Sequence, residues 1–131
     1  MHSSTIASRR RPTDSYPKPS VPRSIFESEG CSAAVINPRF VKPLDLETID
    51  DYGRRVSAFV TFEDHVLAGG FGSAVVEALN QLGLSVPVVR IGWPDQFIEH
   101  GKVETLREKY GLTAESALER VRPHLRHAVT V

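Results

Sequence analysis

Residues Val60 to Gly101 read VTFEDHVLAGGFGSAVVEALNQLGLSVPVVRIGWPDQFIEHG, and this stretch decides the fold. The run Ala58-Phe59-Val60-Thr61-Phe62 is β-branched and aromatic, short enough for a strand covered on both faces. It is expected to stop at Glu63-Asp64-His65. Gly69, Gly70 and Gly72 follow, and from Ser73 a helical pattern sets in, with Ala74, Val75, Ala78, Leu79 and Leu82 on one stripe. Gly83 supplies a left-handed stop, and Val86 to Ile91 reads as the next strand, with Pro87 near its start. Two strands joined by a helix of this length are expected to be parallel.

Working outward, Ser32 to Ile36 reads as a short strand. Asp45 is a good N-cap, with Leu44 and Ile49 placed as a hydrophobic staple for a helix from Leu46 to Arg55. Ile49, Tyr52 and Val56 form its inward face. Past Gly101, Val103, Leu106 and Tyr110 mark a short helix ended by Gly111. Thr113 caps another, with Ala114, Ala117, Leu118 and Val121 inside. The pattern predicts a Rossmann-like, three-layer α/β/α domain with a mainly parallel sheet over residues 26–127, and a frayed end at 128–131.

Residues 1–25 carry Pro12, Pro17, Pro19 and Pro22, the run Arg9-Arg10-Arg11 and no hydrophobic periodicity. Such a segment buries too little to offset its ordering entropy, so it is expected to be disordered. The arginines suggest a transit peptide, but the prolines spoil an amphipathic helix, and no apolar core follows them as in a secretory signal. Sixteen Lys and Arg against sixteen Asp and Glu give no net charge, hence no electrostatic case for nucleic acid or an anionic membrane. No apolar run approaches the length of a membrane span. The single Cys31 cannot form an internal disulfide and fits a reducing, cytoplasmic setting.

The blocks AAVINPRFVKPLD, VTFEDHVLAGGFGSAVVEAL and PVVRIGWPDQFIEHG together resemble the C-terminal domain of 1-deoxy-D-xylulose-5-phosphate synthase, of the transketolase superfamily, in the family's order from Glu27 to Leu125. The resemblance implies kinship with a thiamine-diphosphate transferase that joins a two-carbon unit from pyruvate to glyceraldehyde 3-phosphate, at the entry to isoprenoid synthesis. It also implies that thiamine diphosphate and magnesium are bound by domains other than this one, with no cofactor in this chain. Members have a further strand and helix before the block at Ser32, so the domain is expected to be truncated by one N-terminal strand and helix. That strand would lie between the Ala33 and Ala58 strands, and the proline-rich tail is expected to offer no replacement. A rearranged three-stranded sheet, or a domain needing a partner, is then the expectation.

Among individual residues, the Gly69-Gly70-Phe71-Gly72-Ser73 turn lies where phosphate loops lie, yet it matches neither GxGxxG nor Gly-Lys-Ser/Thr. A structural turn is the preferred reading. Glu63, Asp64 and His65 cluster at a strand's carboxyl end, where sites occur in open α/β sheets. Three adjacent residues cannot all face one point, and the resemblance implies that this segment helps the domain meet its neighbours, so Glu63 and His65 are better candidates for interdomain contact than for catalysis or metal binding. Trp93 and Phe97 are either an interface patch or core under a loop. The functional expectation is a contact domain, acting as a homodimer or with a separate chain that carries thiamine-binding domains. A stand-alone interaction domain and a nonfunctional remnant are the alternatives.

Overall fold

The computed structural model describes residues 4–7 as backbone, and residues 23–38 and 40–125 in full. The elements are β1 (Ser4–Ala7), α1 (Arg23–Ser28), β2 (Ala34–Ile36), α2 (Leu46–Gly53), β3 (Phe59–Val66), α3 (Phe71–Gln81), β4 (Val88–Trp93), α4 (Val103–Lys109) and α5 (Ala114–Val121), closed by a 3-10 turn at Arg122–His124. The strands form one sheet in the order β2-β1-β3-β4.

Local chemistry sets most of the boundaries. The Asp45 side chain accepts from the Thr48 N–H at 3.0 Å, and the Thr113 hydroxyl accepts from the Ser116 N–H at 3.2 Å, so α2 and α5 begin where their caps lie. Gly83 and Gly111 take φ of 71° and 75°, in the left-handed region that ends α3 and α4.

Side chains alternate across β3 and β4 and so build two cores. Val60, Val89 and Ile91 face Phe26 of α1 and Ala117, Leu118 and Val121 of α5. Phe59 faces Ile49 of α2 and Phe71, Val75, Ala78 and Leu79 of α3. The result is the expected α/β arrangement, helices on both faces of the sheet. Cys31 packs at the margin of the first core, where burial pushes its thiol pKa up.

The expectation that the tail offers no strand is corrected. Ser4–Ala7 lies between β2 and β3 and is antiparallel to both, with Thr5 opposite Ile36 on one side and Thr61 on the other. The sheet therefore has four strands rather than a rearranged three. Since β1 opposes both neighbours, β2 and β3 run the same way as each other, and β4 is parallel to β3. The remainder of the expected disordered tail up to residue 22, and the frayed residues 128–131, lie outside the described residues. Helix α1 starts at Arg23, three residues earlier than the expected boundary at 26.

A second correction concerns β3. It does not stop at Phe62 but continues through Glu63-Asp64-His65 to Val66. The register pairs Phe62 with Ile91 and next Val66 with Trp93. Three residues of β3 thus oppose Gly92 alone, and this bulge bends the carboxyl end of the strand.

Candidate functional site

The bulge places its three polar residues on opposite sides of the sheet. Glu63 and His65 turn toward α3, and Asp64 turns toward α4. The glycines around them are required by close approach rather than by flexibility. A Cβ on Gly92 would stand 2.6 Å from Leu67 Cδ2 and 3.1 Å from the His65 carbonyl oxygen, so the bulged backbone fits only over a glycine. A Cβ on Gly70 would run into Glu63 Oε1 and His65 Cε1, and one on Gly72 would lie 2.7 Å from both Thr61 Oγ1 and Arg90 Cδ. Gly69 differs: nothing approaches it, but its φ of 69° lies in the left-handed region.

On the α3 side, Glu63 is 3% exposed and, among the described residues, its oxygens find no hydrogen-bond donor of good geometry. Its Oε1 lies 3.1 Å from His65 Nε2, an ion-pair distance only where the imidazole is protonated, without an aligned hydrogen bond. His65 Nδ1 is 2.8 Å from the Val66 carbonyl oxygen. A carbonyl brings no proton, so Nδ1 must carry one. Nearby, Arg90 Nη1 donates to Ser73 Oγ at 2.7 Å, and that hydroxyl donates to the Leu67 carbonyl at 3.2 Å. The carboxyl of Glu63 stands against Gly70, the residue that opens α3, and takes up the space beside that helix start.

On the α4 side, Trp93 Nε1 donates to Asp64 Oδ1 at 3.0 Å, and Arg107 Nη2 donates to Asp64 Oδ2 at 3.1 Å. The Trp93 and Tyr110 rings meet edge to face at 6.0 Å between centroids. Tyr110 Oη donates to Glu99 Oε2 at 2.6 Å, and Lys109 Nζ bonds the other oxygen of the same carboxylate. These bonds, Lys109 first and Tyr110 second, hold Glu99 down to about 2. The turn after β4 is thereby fastened at both ends.

Trp93 and Phe97, paired in the sequence reading, are separated by this arrangement. Trp93 is the half-buried anchor, whereas Phe97 is 92% exposed. The Asp64, Arg107 and Glu99, Tyr110, Lys109 contacts were not foreseen; only the presence of Trp93 beyond a strand hinted that something must receive its N–H. Among the described residues, no three His, Cys, Asp or Glu are grouped to hold a metal ion, and no helix is long and apolar enough to cross a membrane.

The family model "Transketolase, C-terminal domain" matches residues 24–117. The chain belongs to that family. Among curated relatives, the 1-deoxy-D-xylulose-5-phosphate synthase of Acidobacterium capsulatum is 65% identical over 103 residues, which are 79% of this chain and 16% of that protein. The same enzyme of Methylacidiphilum infernorum is 60% identical over 102 residues, 78% of this chain and again 16% of the relative. A solved structure described as "Split gene transketolase, inactive beta4 tetramer" superposes with a TM-score of 0.69 at 38% identity, covering 78% of this chain and 33% of that one. The bulged β3, the glycine turn and the fastened turn after β4 all lie within the part matched by the transketolase C-terminal model.

Proposed function

We propose that this transketolase C-terminal domain serves a 1-deoxy-D-xylulose-5-phosphate synthase through contacts with the thiamine-diphosphate-binding domains of the enzyme, and takes no chemical step itself. The identity to the two synthases supports the enzyme assignment. In this reading the wider assembly transfers the two-carbon unit of pyruvate to glyceraldehyde 3-phosphate in the cytoplasm, for isoprenoid precursors. The thiamine diphosphate and magnesium sit on the other domains; the Glu63 side chain packed against Gly70 supports this, because it fills the space at the glycine-rich start of α3.

The observation that carries the contact role is Phe97. A ring 92% exposed, on a turn held by the bonds of Trp93, Glu99 and Tyr110, is a pre-ordered apolar anchor of the kind that dominates protein interfaces. Glu63 and His65 act behind that edge by shaping the bulge. The solved relative described as a split-gene transketolase, of whose chain this region spans 33%, supports a division of such an enzyme between separate chains.

The test is sedimentation velocity on this chain mixed with the Acidobacterium capsulatum synthase lacking its matching region. The intact chain is expected to co-sediment, and Phe97→Ser to bind about tenfold or more weakly. Free sedimentation of the intact chain at all concentrations would contradict the reading.

A further inference from the structure

We infer that the space between β2 and β3 is a strand-acceptor site, filled here by residues 4–7 of the chain itself and able to take the same segment from a second copy of this chain. Three observations lead there. First, among the described strands β1 alone is set against the direction of the others: β2, β3 and β4 share an orientation, and β1 opposes both its neighbours. Second, the walls of the site and its occupant differ in origin. Strands β2 and β3 fall within the family-matched residues 24–117, and β1 falls outside them. Third, the site makes demands on its occupant that only a peptide backbone meets.

That last point follows from the ladders. With neighbouring strands about 4.8 Å apart, an empty slot would leave β2 and β3 about 10 Å apart, each with a row of unpaired N–H and C=O groups. Strand β1 covers both rows at once, through Thr5, Ile6 and Ala7 against Ile36, Val35 and Ala34, and through Ser4 to Ala7 against Phe62 to Phe59. In the strand order, β2 has β1 as its neighbour within the sheet and reaches β3 only across it. The occupant must therefore be an extended segment of at least four residues with free backbone N–H groups, and β1 enters antiparallel to both walls. This is strand addition, with main-chain hydrogen bonds supplying the affinity. An occupant joined to the same chain competes at an effective concentration on the order of millimolar. A peptide that binds the vacated slot with a Kd of about 10 μM would then bind the intact chain about 100-fold more weakly.

The experiment uses the full chain, its Ile6→Pro variant and a synthetic peptide of residues 1–10, MHSSTIASRR. Proline removes the N–H and cannot extend the ladder from the middle of a four-residue strand. Amide exchange in the variant is expected to quicken at Ala34–Ile36 and to stay slow in β4 and α5. The peptide should return that protection and bind the variant about 100-fold more tightly than the full chain. If the variant loses its fold altogether, restoration of a cooperative melt by the peptide supports the same assignment. Exchange at Ala34–Ile36 unchanged by Ile6→Pro, or a variant that neither binds nor is restored by the peptide at millimolar concentration, would overturn it. A peptide carrying the same proline serves as the control, and its equal binding would also count against the site.

Discussion

Trp93 Nε1 donates a 3.0 Å hydrogen bond to Asp64 Oδ1, joining the bulge of β3 to the last residue of β4. The bond decides how the carboxyl edge of the sheet is presented. It turns Asp64 away from Glu63 and His65, and it pins the strand end from which the Phe97 turn departs. Substitution Asp64→Ala is expected to cost about 1 kcal/mol, chiefly this hydrogen bond. The Arg107 ion pair adds little, because its side chains are about half exposed. Since Trp93 is the single tryptophan, its emission should shift to the red in the variant, and an unshifted spectrum would mean the bond does not hold the indole.

Glu99 gives the fold an acid-sensitive fastening. Its carboxyl is held down to about 2 by Lys109 and Tyr110, against 4.5 for the free group. A depressed carboxyl contributes stability above the unfolded value, and the contribution is lost as the pH falls from about 4.5 toward 2. Carboxyl carbon shifts followed by NMR should show Glu99 titrating near the lower value, and Lys109→Ala should move it up. A midpoint near 4.5 in the intact chain would show the fastening open in solution.

Gly72 sets helix propensity against contact. Alanine in a helix is favoured over glycine by about 1 kcal/mol. Its methyl, however, would stand 2.7 Å from Thr61 Oγ1, in a residue with 0% exposure, and from Arg90 Cδ. Overpacking of this kind costs about 1–3 kcal/mol, so contact wins and Gly72→Ala should lower stability in urea denaturation. A stabilised variant would show that α3 can lift away from β3 without cost.

The neutral imidazole of His65 is expected to carry its proton on Nδ1, because that nitrogen faces the Val66 carbonyl at 2.8 Å. Long-range nitrogen-proton NMR correlations distinguish the two neutral tautomers. Glu63→Gln should preserve the arrangement, since its amide can donate to Nε2, and it replaces a buried carboxyl whose oxygens lack aligned donors among the described residues. Stability within about 1 kcal/mol of the parent chain, or above it, is the expected result. A neutral imidazole protonated only at Nε2 would contradict the geometry.

The parts of this structure written in local chemistry were legible in the sequence. Asp45 and Thr113 announce helix starts through their own oxygens, Gly83 and Gly111 announce ends through φ, and Ala117, Leu118 and Val121 share a helical face. What escaped depends on partners distant along the chain. The polar run Glu63-Asp64-His65 lacks strand chemistry and stays in β3 because β4 narrows to Gly92 opposite it. Four residues from Ser4 carry no pattern of their own, and only the pairing rows of β2 and β3 make them a strand. Trp93 and Phe97 look alike in sequence, and their opposite fates are set by Asp64 and Tyr110 rather than by either ring.

The most direct measurement is synthase activity, read as release of carbon dioxide from pyruvate in the presence of glyceraldehyde 3-phosphate, with thiamine diphosphate and magnesium supplied. The Acidobacterium capsulatum protein without its matching region, this chain alone, and the two mixed are compared. No turnover is expected from this chain alone, and activity is expected to rise with the amount of chain added to the truncated relative. Turnover by this chain alone, or no gain on mixing under conditions where both proteins are folded, would contradict the proposed function.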